Sequence, residues 1–167
     1  MKKTLVILIF GFLTLSSVSA QKFGYVNSQE LLASMPDVKN ADNQLKSFQD
    51  PLIKKGQDMV DALEAEYGKY MEDVNNGLLS NVQRQQKEQD IQSKQVNIQN
   101  YQAEVQEKIL KKREELYQPI LDKVNNTIKK YGEDNGYTMI FDTSVGGILH
   151  GTESDNLLAA LKTKLGI

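Results

Sequence analysis

The sequence predicts an α+β protein that is mostly helical, in which a small sheet carries a long antiparallel pair of helices. Short strand-like segments lie near both ends, and the middle has helix-favouring residues with apolar positions three and four apart. The composition fits one folded unit, because 25% of the 167 residues are charged and 40% are apolar. With net charge −2 and no Cys, we expect no disulfide, no thiolate metal site and no nucleic-acid partner.

Residues 1–20 have the layout of a cleavable secretory signal peptide. Two lysines precede an apolar run over 5–15, and Val18 and Ala20 place small residues before a cleavage point at Gln21. A helix over this run rises only about 16 Å, which is too short to cross about 30 Å of hydrocarbon, so a membrane anchor is not expected. Export would leave a mature chain with 18 basic and 22 acidic side chains, a net charge of −4.

Residues 21–36 and 133–167 are predicted to form a small β-body. Alternating or β-branched segments predict three strands in it, at 22–26, 137–141 and 146–150. Ser28 is a plausible cap for a short helix that ends before Pro36, and Ser154 or Asp155 can cap a last helix. A sheet of only three short strands is marginally stable in a monomer, and we therefore expect association with other chains.

Residues 37–132 are predicted to form the helical hairpin, the arm of the molecule. Apolar residues three and four apart run from Val38 as in a coiled-coil seam. Pro51 either kinks this first helix or begins a new one, and a turn near Gly77 leads to a return helix. Pro119 should bend the return helix, so Pro51 and Pro119 are the hinge candidates.

Few side chains offer catalytic chemistry. His150 is the single His, and without Cys or a second His it is expected to be a surface residue. We therefore expect no enzyme and no cofactor. Four tyrosines on or beside the arm seam have two readings, packing between helices or contact with unfolded chains. They are Tyr67, Tyr70, Tyr101 and Tyr117.

The order of these features resembles the Skp/OmpH-like family of periplasmic chaperones. The opening segment Phe23-Gly24-Tyr25-Val26-Asn27 carries part of the likeness. The rest lies in Tyr117-Gln118-Pro119-Ile120 through Gly136-Tyr137-Thr138-Met139-Ile140-Phe141-Asp142. The likeness spans nearly the whole mature chain, and the arms match by helical pattern only.

The resemblance implies a homotrimer in which three subunits build one β-body and three hairpins surround a cavity. It implies an ATP-independent periplasmic holdase that binds unfolded outer-membrane β-barrel proteins between its arms and prevents their aggregation. The trimer-body candidates are Phe23, Tyr25, Val26, Ile140, Phe141, Ile148 and Leu149. The candidates for contact with these clients are Tyr67, Tyr70, Met71, Ile91, Ile98 and Tyr101.

The charge departs from that of the family's basic members, whose positive arms are thought to attract acidic partners and lipopolysaccharide. A mature chain at −4 argues against such capture, and against peripheral contact with a membrane or lipopolysaccharide. Helical periodicity alone equally fits an envelope coiled-coil adaptor that binds one folded partner, so this alternative stays open.

Overall fold

The structure, a computed structural model, describes residues 21–167, so the predicted signal peptide lies outside the described residues. Its elements are β1 (Lys22–Val26), α1 (Ser28–Ala33), α2 (Pro36–Asn75), α3 (Asn81–Asp134), β2 (Tyr137–Asp142), a 3-10 turn (Glu153–Asp155) and α4 (Leu158–Leu165). The predicted class, mostly helical with a long hairpin and a small sheet, is confirmed. Within this range no helix combines the length and the apolar character that a membrane span requires.

Helices α2 and α3 form the antiparallel arm. Their 40 and 54 residues extend about 60 Å and 80 Å at 1.5 Å per residue. The turn between them contains Gly77 at φ +68°, a left-handed conformation that favours glycine. Ser80 begins α3 with a capping box: its backbone N–H donates to the Gln83 side chain at 2.9 Å, and its hydroxyl accepts from the Gln83 backbone N–H. The predicted start of the return helix near Ser80 is therefore confirmed.

Both helices of the arm continue through an internal proline. Helix α2 is one helix across Pro51, so the reading in which Pro51 begins a separate helix is wrong. Pro119 lies inside α3 in the same way. A proline lacks the N–H that would pair with the carbonyl four residues earlier, which leaves one weak point in each helix. The hinge role of the two prolines stays a prediction.

The sheet consists of β1 and β2 side by side in parallel. Phe23 pairs with Met139, Gly24 with Ile140, Tyr25 with Phe141 and Val26 with Asp142. Parallel strands require a long crossover connection, and here the whole arm supplies it. Successive side chains of a strand point to opposite faces, so one face of the sheet turns toward the helices and the other turns away.

The hydrophobic core lies at the base of the arm. The first turns of α2 and the last third of α3 meet α1, α4 and the inner face of the sheet there. Its buried members are Val26, Leu31, Met35, Ala41, Ile120, Val124, Leu157 and Leu161. This core is small, and it fixes the sheet to the base of the arm.

The predicted third strand at 146–150 is not formed within the described residues, where the sheet has two strands. After Asp142 the chain turns, with the Gly146 N–H donating to the Thr143 carbonyl and Gly146 at φ +75°. A left-handed residue breaks the extended backbone that a strand needs. The far edge of β1 is also occupied, because the Leu157 N–H donates to the Tyr25 carbonyl at 2.9 Å.

Two predicted helix caps are also wrong. Asn27, not Ser28, caps α1, and its side chain accepts from the Glu30 N–H at 3.0 Å. The Ser28 hydroxyl instead donates to the carboxylate of Asp142, which follows the arm in the sequence. Ser154 and Asp155 lie in the 3-10 turn, so α4 begins later, where the Asn156 side chain accepts from the Leu158 N–H.

Candidate functional site

The outward face of the sheet carries large apolar side chains. Period-two alternation places Phe23, Tyr25, Met139 and Phe141 on this face, away from the core. Phe23, Met139 and Phe141 are 42%, 55% and 43% exposed. The rings of Phe23 and Phe141 lie 6.2 Å apart in a tilted arrangement. An exposed aromatic face of this kind on a two-stranded sheet is typical of an association surface.

An open groove of about 370 Å³ runs along this face. It is lined by Phe23, Gly24, Tyr25, Phe141, Gly147, Ile148, His150, Gly151 and Asp155. The loop that follows β2 therefore forms one wall of the groove, and the aromatic residues of the sheet form its floor. Leu149, which lies between the lining residues Ile148 and His150 in the sequence, is 99% exposed.

The predicted trimer-body residues thus divide into two groups. Val26 is buried in the core of the chain itself, and Ile140 packs partly buried against that core. The other five line the groove or lie beside it, at positions where another chain could cover them. They are Phe23, Tyr25, Phe141, Ile148 and Leu149. Their role in assembly stays a prediction.

Asp142 ties the end of β2 to the start of α1. Its carboxylate accepts from the Ser28 hydroxyl at 2.5 Å and from the backbone N–H groups of Ser28 and Ser144 at 3.1 Å and 2.9 Å. Partial desolvation of the carboxyl acts to raise the pKa of Asp142, but these hydrogen bonds together outweigh it and lower the pKa to about 2. The residue is a structural clasp, since every one of its partners is a serine of the body. Sequence patterns did not single it out for this role.

The interior of the arm is narrow. Ile91, Ile98 and Val105 of α3 are buried at about 7–8% exposure, each two turns from the next, and Tyr70 of α2 is buried beside this line. Between such residues the helices expose long polar stretches to solvent. Two helices can bury only one stripe each, so the arm is a rod rather than a second core.

Three of the four tyrosines connect the two helices of the arm. The Tyr70 hydroxyl donates to the Glu88 carboxylate at 2.6 Å, and the Tyr101 hydroxyl donates to the Leu52 carbonyl at 3.1 Å. Tyr117 donates to Asp42. Bonding to a carboxylate raises the pKa of the Tyr70 and Tyr117 hydroxyls. These contacts favour the packing reading for these three residues.

The six residues predicted to contact clients are spread over three environments. Tyr70, Ile91 and Ile98 are buried inside the arm. Tyr101 is half-buried beside Gly56, whereas Tyr67 and Met71 are 50% and 39% exposed. Apart from Tyr67 and Met71, these predicted residues are therefore not on the open surface of this chain.

Six other apolar residues of the arm are exposed, and none of them was among the predicted client-contact residues. They are Ile53, Leu78, Val82, Val96, Leu110 and Leu121. Most of them fall outside the three-and-four spacing of the seam, and that departure was the available signal. They are distributed along the arm, from its base to the turn at its tip.

The described residues contain no group of three or more His, Cys, Asp or Glu placed to hold a metal ion. His150 is exposed on the wall of the groove, with Asp155 also lining it.

Comparisons with known proteins give a family and a shared fold. The family model of the OmpH-like outer membrane proteins matches residues 22–165. A solved structure of a protein from Caulobacter crescentus CB15, assigned to the OmpH-like outer membrane chaperones, has a TM-score of 0.71 and 14% sequence identity. The match covers 87% of this chain and 83% of that one, and at this identity it shows a shared fold. No curated protein matches the chain. Since the family model spans nearly the whole described range, the chain belongs to the OmpH-like outer membrane protein family.

Proposed function

We propose that this protein is an ATP-independent holdase chaperone of the periplasm, which binds unfolded outer-membrane β-barrel proteins along its arms and prevents their aggregation. Membership of the OmpH-like family and the fold shared with an OmpH-like outer membrane chaperone support a chaperone role. The same membership supports a periplasmic location and a non-enzymatic role.

The proposal rests on the distribution of the exposed apolar side chains of the arm, which occur at separate positions from its base to its tip along helices about 60–80 Å long. A folded partner needs a contiguous patch whose centre is fully desolvated. An unfolded chain can instead touch many separate positions, each contributing little. Scattered contacts therefore favour the holdase over the adaptor that binds one folded partner.

The outward face of the body supports assembly into a homotrimer, as proposed for the trimer-body residues. Phe23 and Phe141 are each more than 40% exposed, and no strand of the described residues lies beside the far edge of β2. Open edges and exposed aromatic faces are unfavourable in an isolated subunit. Association would cover both, and a closed ring of three arms would surround a cavity for the client.

Aggregation measurements test the proposed function. An unfolded outer-membrane β-barrel protein, diluted from urea, should scatter light less when this protein is present at a stoichiometric level, with or without ATP. A folded, non-binding protein at equal mass is the control. An adaptor for a folded partner would leave the scattering unchanged, and that result would overturn the holdase proposal.

A further inference from the structure

Charge is unevenly distributed along the arm. We define the distal arm as residues 57–101, which include the tip, and the arm base as residues 36–56 and 102–134. The distal arm has eight carboxylates and four basic side chains, a net charge of −4. The arm base has ten carboxylates and eleven basic side chains, a net charge of +1. The negative charge of the arm is therefore concentrated in its outer half.

Most of this distal charge is not neutralised locally. Asp58 pairs with Lys54, and Glu66 pairs with Lys94 across the arm. The other six carboxylates of the distal arm make no ion pair within the described residues. They are Asp61, Glu64, Glu72, Asp73, Glu88 and Asp90. No three of the described carboxylates come close enough to hold a metal ion, so the negative field is spread over the surface.

The distal arm also exposes apolar side chains between these carboxylates. Tyr67 and Met71 of α2 are 50% and 39% exposed, and Leu78 at the turn is 66% exposed. Val82 and Val96 of α3 are exposed as well. This part of the arm therefore combines apolar contact points with a negative surface, a combination that suits a partner with apolar and positive groups.

We propose that the distal arm binds cationic segments of unfolded polypeptide, in which apolar side chains alternate with Lys or Arg. The inference rests on the proposed holdase function and deepens it by naming the class of segment that is preferred. The apolar side chains of the segment would contact Tyr67, Met71 and their neighbours, while its basic groups meet the unpaired carboxylates. Anionic segments would be repelled from the distal arm and admitted only nearer the arm base.

Two unfolded peptides of equal length and apolar content, one with Lys and one with Glu at every charged position, test this preference. At low salt, about 20 mM, the full mature protein should bind the Lys peptide roughly tenfold more tightly, as expected from a few exposed ion pairs. The preference should fall toward unity above about 0.5 M salt, where screening is nearly complete. Fluorescence anisotropy of labelled peptides measures both.

Matched variants locate the effect. Asp61→Asn, Glu64→Gln and Glu72→Gln together neutralise three exposed carboxylates of the distal arm. Glu107→Gln, Glu114→Gln and Asp122→Asn make the same chemical changes at three exposed positions of the arm base. Asp61 and Asp122 each accept from a Gln four residues earlier, so the two sets also disturb similar local contacts. Circular dichroism should give equal helix content for both.

The distal variant should lose most of the preference for the Lys peptide, and the arm-base variant should keep it. The inference is overturned if the wild-type protein does not discriminate, if it prefers the Glu peptide, or if the arm-base variant loses as much as the distal one. Suppression of aggregation without discrimination refutes this inference alone. Failure to suppress aggregation refutes the proposed function, and the inference falls with it.

Discussion

At the scale of single residues, Asp142 shows how one side chain holds distant parts of the chain together. It accepts three hydrogen bonds from Ser28 and Ser144, so the end of β2 is held against the start of α1. The strand segment around it was predictable from alternation, since 137–141 was expected and Tyr137–Asp142 is observed. Its contact with Ser28 was not predictable, because a hydrogen bond between residues 114 apart leaves no local pattern in the sequence.

Replacement of Asp142 by Asn should destabilise the body by about 1 kcal/mol at neutral pH, because the charge-assisted hydrogen bonds are lost and solvent screens part of the effect. The folded pKa of about 2 lies below the ordinary 3.8. The carboxylate therefore stabilises the wild-type protein above about pH 4, and this contribution is lost as the pH falls toward 2. Urea unfolding across that range measures it.

Asp90→Asn is the control, since Asp90 is exposed on a polar stretch of α3 and makes no ion pair within the described residues. Its stability should follow the wild-type pH profile. If the unfolding free energies of the wild-type protein and of the Asp142→Asn variant fall with the same slope as the pH is lowered, the hydrogen bonds of Asp142 contribute nothing to stability.

At the scale of the elements, helices were predicted more accurately than strands. The 3-and-4 spacing, the turn near Gly77 and the cap at Ser80 act within a few residues, so the hairpin is visible in the sequence. The third strand predicted at 146–150 failed for the opposite reason. Ile148 and Leu149 suit a strand, but Gly146 is left-handed, and within the described residues no strand lies beside this segment. Among the site residues, the apolar spacing placed Ile91 and Ile98 on one stripe of the return helix. It could not tell whether that stripe packs inside the arm or contacts clients.

Ile98→Ala tests the interior of the arm. Because Ile98 is 8% exposed, its truncation should cost about 2 kcal/mol in the free energy of unfolding, near the low end for a buried Ile facing one other helix. Val96→Ala, two residues away and 49% exposed, is the control and should cost below about 0.5 kcal/mol. Denaturant unfolding followed by circular dichroism measures both. A variant Ile98→Ala of unchanged stability that binds an unfolded client less tightly would instead place Ile98 in client contact.

At the scale of the whole molecule, the core is concentrated at one end and the exposed surface of the arm extends over the rest. The cluster where the body meets the base of the arm buries eight residues, whereas the rest of the arm buries a single thin line. The exposed aromatic face lies on the body, so association at that face would leave the arms free. Separate surfaces for assembly and for client binding would allow each to be changed alone.

Phe141→Ser should therefore weaken assembly without unfolding the subunit, because this ring is 43% exposed and its aromatic neighbour is Phe23 on the same outward face. Analytical ultracentrifugation should find a trimer for the mature wild-type protein and a shift toward monomer for the variant at micromolar concentration. Leu110→Ser removes an apolar side chain of the arm that is 63% exposed, and this variant should remain trimeric. A folded monomer in the wild-type protein would contradict the proposed assembly.

The parallel pairing of β1 with β2 has a consequence for the order of folding. Helices and the hairpin turn form from contacts close in sequence, and such contacts form quickly, whereas β1 waits for a partner more than a hundred residues away. As the hairpin closes, it brings the two strands together and removes most of the entropic cost of joining them. In a chain made from its amino end, the sheet and its aromatic face are completed only after β2 has appeared. Assembly at that face would then wait until both helices of the arm have been made.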